Sequence, residues 1–444
     1  MTLGGDEGDG RQPSYFDTLS LDAVRRLPSP DQATQDLPVR GLFTTRWRTR
    51  WADGDSRSDL SAYLGLDVGA AGATPFSFHA RLGGAWDTSG SSDPSSFDGI
   101  LQSYDSNSWT RVYDLYVDVH AVTALSVLRV GRQADIETPE LAVYDGLRVA
   151  TAEQGALDCS VGVYGGRAVR YYDSFGDGDA LYGGFISLRP WEDARARLDW
   201  MHSEDETTFG GVRDDLIGLE FWQRVDEFLR FGCYYSILDG RDRDLRFDAD
   251  WALPEADAQL RARYYQLLQS QEFRSTEFDP FSDVLGVWDP FQRLNLDASK
   301  RFDADWSLRG GLDLRRVNSS ADLGEFNRDF DRFFLGCVLE ETPEQPYTAG
   351  LTADYWQGSG RDIWTWGIDA GRRIGVDTRG TIGSYYSLWK SDLELGTERE
   401  DVRTYFARLE YDVSEDLRLE GRYELEDSSL LDFHILRLKA TWSF

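Results

Sequence analysis

The residues that could do chemistry in this chain are charged side chains set at every second position within otherwise apolar or small runs. Arg46 and Arg48 stand in FTTRWRTRW, Asp114 and Asp118 in VYDLYVDV, and Arg230 just before FGCYY. Asp248 and Asp250 follow in RFDADW, then Asp313 in GGLDLR, Asp369 in WGIDAG, and Arg422 with Glu424 in GRYELE. Ionised groups of both signs on one face can pair with each other. Their summed field can also sort ions passing beside them. They do not spell out a catalyst. The four histidines, His79, His120, His202 and His434, fall on distant segments, and no Ser–His–acid spacing stands out. Cys159, Cys233 and Cys337 belong to no C-x-x-C or C-x-x-C-H pattern, so zinc-knuckle, thioredoxin-type and covalent haem sites are not indicated. Each cysteine sits in an apolar strand pattern and reads as a small apolar side chain. DSFGDGD, residues 173–179, lacks the ligand register of a calcium loop and reads as a solvated acidic segment. The expectation is a protein that is not an enzyme and holds no cofactor or metal of its own.

The elements that must position these charges are strands. From Val39 onward the sequence alternates with period two. Phe43, Thr45, Trp47, Thr49 and Trp51 share a face opposite Thr44, Arg46, Arg48 and Arg50. LSAYLGLDV, LRFDADWAL, WSLRGGLDLR and LRLEGRYELE repeat the theme. The segments are about 9 to 13 residues long, against the usual 5 to 6 of a globular sheet. A membrane-crossing strand needs about 9 to 11. Short turns such as EQGA, PEAD and VSED alternate with longer polar connections such as SGSSDPSSFDGILQSYDSNS, EDETTFGGVRD and KSDLELGTERED. Short and long in alternation is the pattern of an up-and-down meander whose two ends face different surroundings. The fold class is therefore all-β: a transmembrane antiparallel up-and-down β-barrel of about 22 strands. Residues 1–38, rich in Gly, Asp and Pro, form an N-terminal periplasmic tail, and residues 39–444 form the barrel.

Composition agrees. The 444 residues are 41% apolar and 14% aromatic, with a mean hydropathy of -0.48 and no apolar run long enough for a helical span. A net charge of -31 argues against nucleic acid as a partner, since phosphate binding wants the opposite sign. With apolar faces toward lipid, every backbone group is satisfied once the sheet closes. Trp51, Trp109, Trp191, Trp306 and Trp442 then mark interfacial girdles. The N-terminus, MTLGGDEGDG, has no basic region or apolar core of a secretory signal. An exported chain would thus begin after its signal had been removed.

The closing stretch RLKATWSF, residues 437–444, alternates and ends on Phe444. It resembles the last strand of bacterial outer-membrane proteins. This implies the outer membrane of a Gram-negative bacterium, with outer-membrane lipid and lipopolysaccharide as neighbours. A second resemblance lies in LRVGRQADIETPELAVYDGLRV, where GRQ (Gly131 to Gln133) precedes DGLR (Asp145 to Arg148). It is similar to outer-membrane porins of the alginate-export and OprD-like type. It implies a porin-like wall and carries no substrate over; the long, Arg-rich in-folded loops of those porins are not evident.

A barrel of this size is wide. About 4.8 Å per strand and a tilt of about 40° give a backbone diameter of roughly 44 Å, and a lumen of roughly 25 Å between side chains. The N-terminal tail is too short to be a plug. The connection TEFDPFSDVLGVWDPFQ, residues 276–292, carries Phe278, Phe281, Trp288 and Phe291 and is the expected constriction or partner loop. The first functional reading is a wide polar pore for passive passage of small solutes. The alternative is a structural sheath around a multihaem c-type cytochrome. Glycines at Gly65, Gly83, Gly162, Gly232, Gly311, Gly336, Gly367 and Gly383 could make room for such an object. Stretches such as NRDF and GTIGSYYSLW also resemble barrels of porin–cytochrome conduits. Redox chemistry would then belong to the partner.

Overall fold

The computed structural model describes residues 38–444, apart from 53, 90–105, 123, 136–137, 140, 170–178, 208–209, 271–288, 303–304, 319–327, 343–344, 359–361, 393–396 and 430–431. The tail therefore lies outside the described residues. The chain runs through β1 (Val39–Ala52), β2 (Asp55–Val68), β3 (Phe76–Asp87), β4 (Ser108–Val119), β5 (Leu125–Asp135), β6 (Ala142–Thr151), β7 (Ser160–Ala168) and β8 (Ala180–Leu188). It continues through β9 (Ala194–Thr207), β10 (Gly210–Arg224), β11 (Leu229–Leu238), β12 (Arg241–Leu253), β13 (Ala258–Leu267), β14 (Phe291–Phe302) and β15 (Trp306–Val317). The last strands are β16 (Phe330–Leu339), β17 (Tyr347–Gly358), β18 (Asp362–Arg373), β19 (Thr378–Asp392), β20 (Thr397–Asp412), β21 (Leu417–Asp427) and β22 (Phe433–Ser443). They form one 22-stranded sheet in which each strand pairs antiparallel with its chain neighbours.

The sheet closes on itself. β1 pairs with β22 from Leu42 opposite Ser443 to Trp51 opposite His434. Two backbone bonds finish the seam, Gly41 N–H to the Phe444 carbonyl at 2.7 Å and Phe444 N–H to the Gly41 carbonyl at 3.0 Å. Closure leaves no open edge, which is the condition for spanning a bilayer with strands. Among the described residues no helix is long and apolar enough to cross a membrane.

Alternation divides the residues into two walls. The outer wall is lined by exposed apolar side chains, among them Val163, Leu198, Leu335, Leu351, Ile368 and Leu409. Aromatic groups sit toward both rims. Trp51, Tyr423 and His434 stack near the rim where the longer connections lie, with Trp51–His434 centroids 5.1 Å apart. Trp306, Tyr347 and Trp442 sit near the rim of the short turns, where β1 begins and β22 ends.

Two local departures from regularity matter. In β4 the register slips at Tyr113, so Arg81 faces Asp114 while Leu82 faces Val112. The extra residue reverses the parity of what precedes it. Trp109 pairs with Ala85 and shares the inner face with Arg111, whose guanidinium lies 5.1 Å from the indole. The girdle expected to include Trp109 therefore does not; strict alternation misassigned it because the bulge adds one residue. The longer connections also differ from the sequence reading. Much of EDETTFGGVRD belongs to β9 and β10, and much of KSDLELGTERED to β19 and β20. Polar strand residues can continue a ladder beyond the lipid band because water, rather than lipid, meets them there.

Candidate functional site

The site is the inner wall. Register places Arg46, Arg48, Asp114, Asp118, Arg230, Asp248, Asp250, Asp313, Asp369, Arg422 and Glu424 all on the inner face. The arginines and carboxylates meet across neighbouring strands. Arg48 Nε donates to Asp59 at 2.9 Å, and Arg129 holds Asp118 in a fork at 2.7 and 3.0 Å. Asp250 accepts from Arg230 at 3.1 Å and from Arg261 at 2.6 Å. Arg263 stands 3.5 Å from Asp248. Asp313, buried, is gripped by Arg293 at 2.8 Å and 2.5 Å. Glu424, also buried, lies between Arg422 at 2.6 Å and Arg437. Asp369 is different: among the described residues no cation stands within ion-pair distance of it, and its carboxylate lies over Gly350.

The glycines of the wall have a local use. A Cβ at Gly162 would run into the ring of Phe185, one at Gly311 into Phe334, and one at Gly383 into Phe406. Rings from the adjacent strand lie flat across these glycines, and arginines cover the rings. Arg197 sits 3.9 Å from the Phe185 centroid, Arg332 5.2 Å from Phe334, and Arg422 5.0 Å from Phe406. Glycine, ring and guanidinium make a layered lining whose outermost groups are charged. The room left by Gly162, Gly311 and Gly383 is filled by the wall itself, whereas an added Cβ at Gly65, Gly232 or Gly336 would meet nothing closer than 3.6 Å.

One segment folds inward. The connection between β5 and β6 sends Pro139 against the wall at β10 and β11. The Tyr234 hydroxyl donates to the Pro139 carbonyl at 2.8 Å, and the Pro139 ring lies where a Cβ of Gly218 would be crowded at 3.1 Å. Along the same stretch of wall, Tyr144, Tyr164, Leu181, Met201, Leu216 and Leu238 form a buried apolar cluster. The base of the loop is an ion pair between Arg148 and Asp135 at 2.5 Å, both buried.

The GRQ and DGLR residues are the arms of this loop. Gly131 adopts φ +126° and comes so close to Leu115 and Tyr116 of β4 that a side chain would collide with backbone. Gln133 and Arg148 point inward, whereas Arg132 and Asp145 form a forked pair on the outer face with both bonds at 2.7 Å. Beyond Arg132 the β4–β5 ladder stops after four paired positions. Side chains take over: Arg132 donates to the Val112 carbonyl at 3.2 Å, and the Ala134 N–H donates to Asp114 at 3.1 Å. In-folding was not evident from the sequence because the loop is short; the GRQ…DGLR resemblance implied a porin-like wall and no in-folded loop.

The histidines are not all apart. Ser77 Oγ lies 3.0 Å from His79 Nε2 and 3.0 Å from His120 Nε2, and His79 Nδ1 lies 2.6 Å from Asp67. The connectivity is that of a Ser–His–Asp relay, on the inner face near the short turns. Ser77 is only 3% exposed, which closes its hydroxyl to a substrate. His202 and His434 lie on the outer face among aromatic rings. Of the expected constriction loop, Phe278, Phe281 and Trp288 lie outside the described residues. Phe291 is described and belongs to the wall: it opens β14, is buried, and carries Arg315 at 4.0 Å over its ring. Of DSFGDGD, only Asp179 is described.

A closed antiparallel cylinder, apolar outside and charged inside, defines a transmembrane β-barrel. Its fold is that of the outer-membrane pore proteins. Similarity to the translocation pore of the P pilus usher PapC extends over 91% of this chain and 99% of that one, with a TM-score of 0.50 and 9% identity. A BenF-like porin from Pseudomonas fluorescens Pf-5 aligns at a TM-score of 0.46 and 11% identity, over 92% of this chain and 99% of the other. OpdK of Pseudomonas aeruginosa, solved with vanillate, aligns at 0.41 and 13%, over 91% and 98%. At these identities the likeness is one of fold. In sequence the chain matches no family profile and no curated protein.

Proposed function

We propose that the protein is a passive channel of the Gram-negative outer membrane that admits small polar solutes and ions. The observation that carries this reading is the inner wall: a closed ring of strands whose inward residues are charged, paired and layered over their own aromatic rings. Such a surface favours water and ions over an apolar occupant. Orientation follows the rule for these barrels, with short turns and both termini toward the periplasm and the longer connections outside, against lipopolysaccharide. The loop at Pro139 narrows the passage on one side.

Charge placement bears on selectivity. Most wall carboxylates named above face arginines, so the wall is close to balanced. The excess acid behind the net charge of -31 is conspicuous in SDLELGTERED, at the outer ends of β19 and β20, and in the tail. Cation preference then comes from the outer mouth and from wall groups such as Asp369 that have no cation within ion-pair distance among the described residues. The sheath reading keeps only part of its glycine argument, since rings of the wall itself fill the space over Gly162, Gly311 and Gly383.

Planar-bilayer recording on the purified barrel tests this. Stable ohmic steps in a colourless preparation are expected. A preparation from the native membrane that carries a Soret band in fixed ratio, and a barrel that does not conduct, would overturn the channel reading.

A further inference from the structure

On the outer wall, β17 to β22 enclose an apolar groove of ≈ 640 Å³. Its floor is made of small residues, Ala370, Gly380, Ala407 and Gly421, and Ile382 and Leu409 stand along its sides. The groove begins at the short-turn rim, beside Tyr347 and Arg372, and climbs toward Tyr423 and Leu436.

Arg372 is the odd member of this surface. It faces outward in register with Tyr347, and its guanidinium lies 5.1 Å from that ring. Among the described residues no carboxylate stands within ion-pair distance of it. The next residue, Arg373, turns inward and is held by Glu341 at 2.5 Å, which Arg379 shares. An outward arginine without an acid, at the edge of the lipid band, lacks the partner that its inward neighbours have. A phosphodiester matches the guanidinium fork in charge and geometry.

The dimensions select the rest of the ligand. Crossing the strands from β18 to β22 at about 4.8 Å each gives a path of roughly 20 Å. Spread along that path, the groove is a shallow strip about 9 Å wide, narrower than a helix of about 10 to 12 Å diameter. It suits a hydrocarbon chain.

We infer that this groove is a specific site for one glycerophospholipid of the leaflet at the short-turn rim, with an acyl chain along Ala370, Ala407 and Gly421 and the phosphate on Arg372. The site depends on the barrel standing in a bilayer and not on what passes through it.

The test is native mass spectrometry of the full chain in detergent, delipidated and then offered dioleoyl phosphatidylglycerol or dioleoylglycerol. The wild-type barrel is expected to keep one phosphatidylglycerol and to hold dioleoylglycerol at least tenfold less. Arg372→Gln should weaken phosphatidylglycerol about tenfold, to the level of dioleoylglycerol, and Ala407→Phe should remove both. Heat-modifiability on gels confirms that each variant is folded, and Arg372→Gln, a surface change, guards against failure of the groove-filling variant. Equal retention by wild type and Arg372→Gln, or only a graded series of annular lipids in the wild type, would overturn the assignment.

Discussion

The hydroxyl of Tyr234 on β11 donates a 2.8 Å hydrogen bond to the carbonyl of Pro139, 95 residues earlier in the chain, and so ties the loop between β5 and β6 to the far end of a buried apolar cluster. The ion pair at the base of the loop and the Tyr234–Pro139 hydrogen bond are two separable restraints on it.

Removing the tip restraint should loosen the loop without unfolding the wall. A neutral hydrogen bond contributes about 0.5 to 1.5 kcal/mol, so Tyr234→Phe shifts the docked fraction by roughly 2- to 12-fold. The expected readout is excess open-channel noise and a larger mean conductance in planar bilayers. A current trace identical to wild type would mean that Pro139 is held by packing on Gly218 alone.

Breaking the base restraint should cost more. Arg148→Ala removes one charged partner of the buried Asp135, a loss of about 1.5 to 3 kcal/mol. The urea midpoint of the variant should fall clearly, and Arg148→Met combined with Asp135→Leu should recover most of the loss. A single variant as stable as wild type would contradict the buried pairing.

Gly162 supports Phe185, which in turn carries Arg197. Gly162→Ala pushes the ring off the strand and is expected to destabilise by about 1 to 3 kcal/mol, as overpacking does. Adding Phe185→Leu should restore part of the stability, measured by the temperature at which the folded gel band is lost. Absence of coupling between the two changes would count against the layered lining.

Wall charges should differ in their effect on ion selectivity. Asp369 has no cation within ion-pair distance among the described residues, and Arg408 acts on it only through its longer-range field, so Asp369→Asn removes a weakly compensated charge. Asp250 is shared by Arg230 and Arg261, and Asp250→Asn releases two cations into the lumen. Reversal potentials in a salt gradient should move toward anions in both variants. A shift toward cations in either would contradict the placement of these groups beside the permeation path.

The barrel itself was legible in the sequence because one physical fact, the two-residue repeat of a strand, places every second side chain on one face. FTTRWRTRW already separates Arg46 and Arg48 from Trp47 and Trp51, and a long run of such segments can satisfy its backbone only by closing. Local irregularity was not legible. The bulge at Tyr113 changes the face of Trp109 without altering composition, and nothing in the spacing of Ser77, His79 and His120 says that β3 and the end of β4 bring them together.

The sequence by itself therefore determined the strands, their inner and outer faces away from the bulge in β4, the even count and the closure of β22 on β1. All of these follow from local alternation and from the need to satisfy backbone groups in lipid. The tertiary structure alone decided which arginine meets which carboxylate, that Pro139 lies against Gly218 and Tyr234, and that small residues from β18 to β21 line up as a groove. Those relations depend on register and stagger between strands. A chain with a two-residue period leaves them open until the cylinder closes.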